Sequence, residues 1–263
     1  MSVFASLLHV EYQGNKINVI DTPGYPDFVG EVAASLHVVD SALFVINAGE
    51  GVQVGTELAW RAAVKESKPS MFVINQLDKD KTSFQDLVEQ IKDRFGRGAT
   101  VVQVPVGGGS RAIIDVLIMK QITFDAKGKM TLSEIDEAFA DEADQLHNEL
   151  VENIAENDES LMELYFEKGT LTEDEMRAGL REAMIRHQLF PIFLTSATEN
   201  IGISRLMEFV GNVCPTPSQM PAAATEGGGT ITPDSSGEPV ALIYHTMAEA
   251  HVGDYSFFRI YSG

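Results

Sequence analysis

Three apolar stretches of this chain end in residues that can do chemistry. Ile17-Asn18-Val19-Ile20 runs into Asp21-Thr22-Pro23-Gly24. Met71-Phe72-Val73-Ile74 runs into Asn75-Gln76-Leu77-Asp78, and Phe190-Pro191-Ile192-Phe193-Leu194 into Thr195-Ser196-Ala197. Each reads as a buried strand closed by a tight turn. An Asp at a strand end can hold Mg²⁺ through water, and a Gly lets its backbone N–H approach a terminal phosphate. An Asn and an Asp on one turn can read a guanine edge, the carboxylate accepting from its N–H groups. The first two motifs also have a plainer reading. Asp-Thr-Pro-Gly makes a β-turn without any ligand, and the Asx residues of the second motif can simply cap the next helix.

In this order, each closing a strand, the motifs resemble the Asp-x-x-Gly, Asn-Lys-x-Asp and Ser-Ala motifs of translational GTPases. Further stretches resemble elongation factor G: Asp21 through Phe28, Gly30-Glu31-Val32, Ala48 through Gln53, Gln90 through Gly96 and Phe258 through Gly263. The resemblance covers essentially the whole chain. It implies an α/β fold, a P-loop-GTPase-like, mostly parallel sheet flanked by helices. An inserted α+β subdomain and the first strands of a β-barrel complete it. GTP or GDP with Mg²⁺ are the implied ligands of the parent protein and the ribosome its partner, while the single cysteine fits a reducing cytoplasm as its location. Residue by residue, the resemblance puts Asp21, Gly24, Asn75, Gln76, Asp78, Ser196 and Ala197 at the nucleotide. Ser2 and Asp21 fall at the metal, although Ser2 lies so near the chain start that fraying would weaken its hold.

Three departures from the family pattern bear on activity. The sequence contains no Gly-x-x-x-x-Gly-Lys-[Ser/Thr], the loop that cradles nucleotide phosphates. In the family that loop precedes the switch segment, so it would lie upstream of Met1. The chain also stops inside the second domain, and it reads as an excised piece of a longer protein. Without the loop, nucleotide binding by these residues alone is expected to be weak or absent. Tyr25 stands where the family has the His that positions the attacking water, and a phenol does not serve as an imidazole. Gln76 replaces the Lys of Asn-Lys-x-Asp and loses its charge, while Asn75 and Asp78 remain. The expectation is a factor that promotes translocation with GTP hydrolysis weak or absent. Two alternatives stay open on the residues: an ordinary GTP-hydrolysing translocase, and a recycling, rescue or protection factor acting by occupancy. Whether the chain is itself an enzyme is not decided by the sequence. An unrelated α/β hydrolase lacks support, since no Gly-x-Ser-x-Gly turn is present.

The elements that must position these residues alternate strand and helix, which predicts a parallel, doubly wound sheet. Residues 3–12 and 16–21 read as a hairpin about Gln13-Gly14-Asn15. Phe28 to Val38 follows as a switch helix with Glu31 and His37 outward, and Ala42–Ile46 as a strand. Helices are expected at Thr56–Lys65 and Thr82–Phe95, and one strand at Thr100–Pro105 leading into a flexible Gly107-Gly108-Gly109-Ser110. The long separation of Asp78 from Ser196 exceeds what one strand and one helix need. The domain reading is therefore a truncated GTPase-like unit at 1–105 and 186–214, with an inserted subdomain at 106–185. A linker follows at 215–237 and the start of a second domain at 238–263. Within the insert, Ile113–Lys120 and Gln121–Lys127 read as strands about an Asp125–Gly128 turn. The rest reads as helical, with a Thr172-x-x-Glu175 capping box. Gly202–Val210 is the closing helix, and two strands begin at Pro239.

A formal net charge of −20 over 263 residues argues against a general nucleic-acid-binding surface. Between Glu134 and Glu175 there are 16 acids and one lysine. That is either a solvated helical face or a docking surface for a basic partner. The resemblance offers a ribosomal stalk protein as that partner. The single cysteine, Cys214, excludes an internal disulfide and reads as a small apolar residue. His37, His245 and His251 are too isolated to be metal ligands. No apolar run approaches membrane-spanning length, and a monomer is expected.

Overall fold

The computed structural model describes residues 2–76, 78, 83–107, 111–249, 251 and 253–263. Strands β1 (Ser6–Tyr12) and β2 (Asn15–Asp21) form an antiparallel hairpin. Its two-residue turn, Gln13 (φ 47°) and Gly14 (φ 81°), has positive φ at both positions, as the right-handed strand twist favours. Helix α1 (Val29–Val38) follows, then β3 (Ala42–Asn47), α2 (Val54–Lys65), β4 (Ser70–Asn75) and α3 (Phe84–Phe95). The Ser83 hydroxyl caps α3, accepting from Asp86 N at 3.3 Å. Of the Thr82–Phe95 expectation, Thr82 itself lies outside the described residues, as do Leu77 and Gly108–Ser110.

Strand β5 (Ala99–Val101) and, much later, β10 (Phe190–Leu194) complete a parallel sheet ordered β3-β4-β10-β5. The α/β reading therefore holds: a parallel sheet flanked by helices, accompanied by antiparallel sheets. On one face Trp60 of α2 sits 4.8–5.5 Å, ring to ring, from Phe44, Phe72, Phe95 and Phe190. This edge-on and tilted aromatic packing ties α2 and α3 to three strands. On the other face Phe193 meets Phe209 of α7 (Ile203–Asn212) at 4.4 Å.

Among the described residues the hairpin is not hydrogen-bonded into this sheet. Strand β3 is an edge strand, and its Leu43 and Val45 are 46% and 56% exposed. Leu7 and Leu8 of the hairpin are also exposed. An uncovered apolar edge of this kind invites a further strand.

The expected strand Thr100–Pro105 is in fact two. The chain leaves the parallel sheet at Val102 and enters an antiparallel one as β6 (Gln103–Pro105). That sheet runs β6-β7-β8-β9, with β7 (Ala112–Asp115), β8 (Lys120–Phe124) and β9 (Met130–Ser133). Sequence reading put a strand through Ile113–Lys120, yet Val116–Met119 is a turn. The Asp115 carboxylate accepts from Leu117 N and Ile118 N at 3.2 and 3.3 Å, and Met119 takes φ 49°. An Asx turn overrides an apolar run that alternation alone would extend. The Asp125–Gly128 turn does occur, between β8 and β9.

Helices α4 (Glu137–Ala155), α5 (Glu159–Lys168) and α6 (Glu173–Ile185) follow. The Thr172 capping box opens α6, and Leu150, Ile154, Met176 and Leu180 are buried. The acids lie at the surface of these helices, as both readings of the acidic run require. A small hairpin, β11 (Ala223–Ala224) with β12 (Thr230–Ile231), interrupts the expected linker. A long one, β13 (Val240–Glu249) with β14 (Gly253–Ser262), ends the chain.

This last hairpin docks on α1. Arg259 donates to Asp40 at 2.6 Å and to the Val38 carbonyl. Glu31, expected to face outward, instead accepts from Ala5 N at 2.9 Å and lies 3.7 Å from His245 Nε2. The correction has a simple cause, because Glu31 lies beneath two β-elements that sequence periodicity cannot place.

Candidate functional site

The C-terminal ends of β3, β4 and β10 lie side by side, which is where parallel sheets with helical crossovers bind ligands. Asn47 of β3 is in register with Asn75 of β4, and Thr195 N donates to the Ile74 carbonyl at 2.8 Å. Two of the sequence-predicted motifs meet here. The Asn75 Oδ1 accepts from Ala197 N at 3.0 Å and from the Thr195 hydroxyl at 3.2 Å. The Ser196 hydroxyl donates to Asp78 Oδ1 at 2.5 Å. The loop after β10 is closed on itself by Ser196 N to Ile201 O (3.0 Å) and Ile201 N to Ser196 O (2.9 Å). Asn75, Asp78, Ser196 and Ala197, separated by up to 122 positions, thus form one hydrogen-bonded cluster.

Thr195 belongs to this cluster and was not singled out from sequence. Its hydroxyl has no spacing signal; only the pairing of β10 with β4 brings it to Asn75. Gln103 was missed in the same way. It is buried, accepts from Leu194 N at 3.0 Å and donates to Asp115 Oδ2 at 3.0 Å. It thereby braces the end of β10 from the antiparallel sheet.

Asp115 also holds Arg205 of α7, at 2.8 Å from Nε and 3.4 Å from Nη2. Arg205 is 2% exposed and Asp115 1%. Burial opposes the guanidinium charge, but the Asp115 and Glu208 carboxylates outweigh it and push Arg205 above its ordinary value. At the other end of the molecule, burial and the nearby Arg259 depress the Lys68 ammonium, against Asp40 and Glu66.

The fit of a guanine edge to the cluster depends on which atoms are already committed. Asp78 has spent one oxygen on Ser196, and Ala197 has spent its N–H on Asn75. A base would take the second Asp78 oxygen and share the Ala197 donor. The donor and acceptor types are those a guanine edge needs, so the residues fit the base. Gln76 sits between Asn75 and the rest of this turn with a left-handed backbone, φ 71°.

The residues expected at the phosphate, Ser2, Asp21 and Gly24, make none of the hydrogen bonds of this cluster described above. Asp21 ends β2 and is exposed, as is Ser2. The φ of Gly24 lies outside the left-handed region, and nothing lies within 4 Å of where a Cβ would stand. Neither strain nor crowding at its own Cα demands glycine there. A Cβ on Gly55 would instead fall 2.5 Å from the Gly24 carbonyl oxygen, so the turn packs tightly on the start of α2. Tyr25 is 57% exposed and precedes a 3-10 turn at Pro26–Phe28. Among the described residues no group of three or more His, Cys, Asp or Glu could hold a metal by itself. Asp21 would hold Mg²⁺ only as one carboxylate among water and phosphate oxygens, a role this hard cation accepts.

Comparison with known proteins adds two findings. Residues 1–216 match the family model described as the elongation factor Tu GTP binding domain. The chain also superposes on a crystal structure of a protein from Thermus thermophilus, with a TM-score of 0.86 and 29% sequence identity. That match covers 99% of this chain but 37% of the Thermus chain, so these residues span well under half of that relative's length. No helix among the described residues is long and apolar enough to cross a membrane.

Proposed function

Since the chain belongs to the elongation factor Tu GTP-binding domain family, we propose that it is the central part of an elongation factor G-like translation factor. In this reading the factor binds the ribosome and promotes translocation, with GTP hydrolysis weak or absent. The observation that carries the reading is the cluster of Asn75, Asp78, Ser196 and Ala197 at the strand ends. Asp78 accepts from the base, Asn75 holds the Ser196-Ala197 loop against it, and the loop excludes bases whose edge presents the opposite donor pattern. Bound GTP would supply the phosphoryl group, and Asp21 and Gly24 are the residues that would hold its terminal phosphate and Mg²⁺.

The weak-hydrolysis part of the reading rests on Tyr25 and Gln76. A phenol at the water-positioning site offers neither the geometry nor the proton chemistry of imidazole. The uncovered edge of β3 supports a further strand, carrying the phosphate loop, supplied from outside these residues. These residues alone would bind nucleotide poorly. The protein would act in the cytoplasm as a monomer, with the acidic faces of α4–α6 turned towards a basic ribosomal stalk partner.

The test is ribosome-stimulated phosphate release by the natural protein that carries this chain, measured beside translocation. Translocation with little phosphate release is expected, and Tyr25→His should raise turnover about a hundredfold. Phosphate release matching translocation in the unaltered protein would make it an ordinary hydrolysing translocase. Ribosome binding without translocation would make it a factor acting by occupancy.

A further inference from the structure

The loop that carries Ser196 and Ala197 is gripped from two sides, and only one of them is the nucleotide side. Its tip, Thr198-Glu199-Asn200, is held by the turn between β8 and β9. Arg111, just ahead of β7, makes the main grip. Its Nε donates to the Phe124 carbonyl at 3.1 Å and its Nη2 to the Asp125 carbonyl at 2.8 Å. The same guanidinium reaches across to the loop, with Nη1 on the Glu199 carboxylate at 2.8 Å and Nη2 on the Glu199 carbonyl.

A second set of contacts lies beside it. Asn200 Nδ2 donates to the Lys127 carbonyl at 2.8 Å, and the Ser204 hydroxyl to the Gly128 carbonyl at 3.1 Å. Gly128 has φ 76°, and a Cβ there would stand 2.3 Å from Asn200 Nδ2. Glycine is therefore required both by the backbone and by the close approach of the loop. The turn itself is stiff, because Asp125 Oδ1 accepts from Lys127 N and Lys129 N at 2.8 and 2.9 Å.

An exposed ion pair such as Arg111–Glu199 contributes little by its charge alone. What matters is the number and placement of acceptors. One planar guanidinium bridges three backbone carbonyls and a carboxylate on two different segments, a geometry that lysine cannot reproduce. We propose that Arg111, together with the Asp125–Gly128 turn, is a positioning element for the base-reading loop. It holds residues 196–201 where Ser196 and Ala197 meet Asp78 and Asn75. The inserted sheet thereby becomes part of the nucleotide site without touching nucleotide. The inference rests on the reading of that loop as base-reading.

The experiment is amide hydrogen exchange of the natural protein that carries this chain, followed residue by residue. Arg111→Lys, Arg111→Ala and Gly128→Ala should each speed exchange at Ala197 and Ile201 by about tenfold or more, with the β4 amides unchanged. Failure of Arg111→Lys to preserve protection distinguishes positioning geometry from charge. Unchanged exchange at Ala197 and Ile201 in all three variants would overturn the proposal. So would acceleration that spreads equally through β4 and β10, which signals general destabilisation. In the natural protein, the same variants should weaken GDP binding in proportion to the loop response. A natural protein that binds GDP no better than ADP, with the loop response intact, keeps the clasp and overturns the base-reading assignment instead.

Discussion

Replacing Arg205 by Met should be among the most damaging single changes on the sheet face opposite Trp60. The change removes a guanidinium that is 2% exposed and leaves Asp115, 1% exposed, without its cation. Orphaning one member of a buried pair costs about 3–5 kcal/mol. The lower end applies here, about 3 kcal/mol, because Asp115 keeps Gln103, Leu117 N and Ile118 N as donors. Asp115→Leu should cost a similar amount, since among the described residues Arg205 then keeps only the Glu208 carboxylate, at 3.1 Å. With both changed, no buried charge is left alone, and the remaining loss is that of the Gln103 amide and the Leu117 and Ile118 N–H groups, which lose their acceptor, about 3 kcal/mol together. The singles should therefore overshoot the double by about 3 kcal/mol. Arg205 lies above its ordinary value. A raised basic group contributes fully below its unfolded value, which for a guanidinium lies far above neutrality, so this coupling should be flat across the neutral range. The assay is urea unfolding read by the fluorescence of Trp60, the single tryptophan, buried among four phenylalanines. Additive single costs, within about 0.5 kcal/mol, would refute the network.

Other expectations follow from single sites. Burial pushes the Cys214 thiol up to about 12, against Arg181 and Ser41, so it should resist a disulfide reagent at mildly alkaline pH until the chain unfolds. Fast labelling of the folded chain would contradict this. The Glu175 carboxylate is held below its ordinary value by the Thr172 backbone N–H, then by the Thr172 hydroxyl. Its stabilisation of α6 should be present above the ordinary glutamate value and fade as pH falls through the depressed one. A side-chain NMR titration with an ordinary midpoint would rule that out.

Much of this architecture is legible in the chain because local rules suffice for it. The Gln13-Gly14 turn, the apolar runs before Asp21, Asn75 and Thr195, and the Thr172 capping box each announce themselves within a few residues. What escapes is set by distant partners. Asp115 turns an apolar run into a loop only because its carboxylate is fixed by Arg205 and Gln103, residues in other elements. The kink at Val102 exists because one extended segment serves two sheets. Glu31 points inward because a hairpin more than two hundred residues later packs over it. At the candidate site the same division holds. Asn75, Asp78, Ser196 and Ala197 are readable as motifs, while Thr195, Gln103 and Arg111 take their places only when β10 pairs with β4 and the antiparallel sheet β6–β9 packs beside it.

The most direct test of the account exchanges the hydrogen-bonding sense of one side chain. In the natural protein that carries this chain, Asp78→Asn replaces an acceptor by an amide that can donate to a carbonyl. Guanine presents an amino group at that position of its edge, and xanthine a carbonyl. Binding of GDP and of xanthosine diphosphate would be measured for both proteins, with circular dichroism to establish folding. The account predicts that the unaltered protein prefers GDP and that Asp78→Asn, still folded, shifts the preference to xanthosine diphosphate by about tenfold or more. A folded Asp78→Asn protein that retains its GDP preference would contradict the claim that this cluster reads guanine.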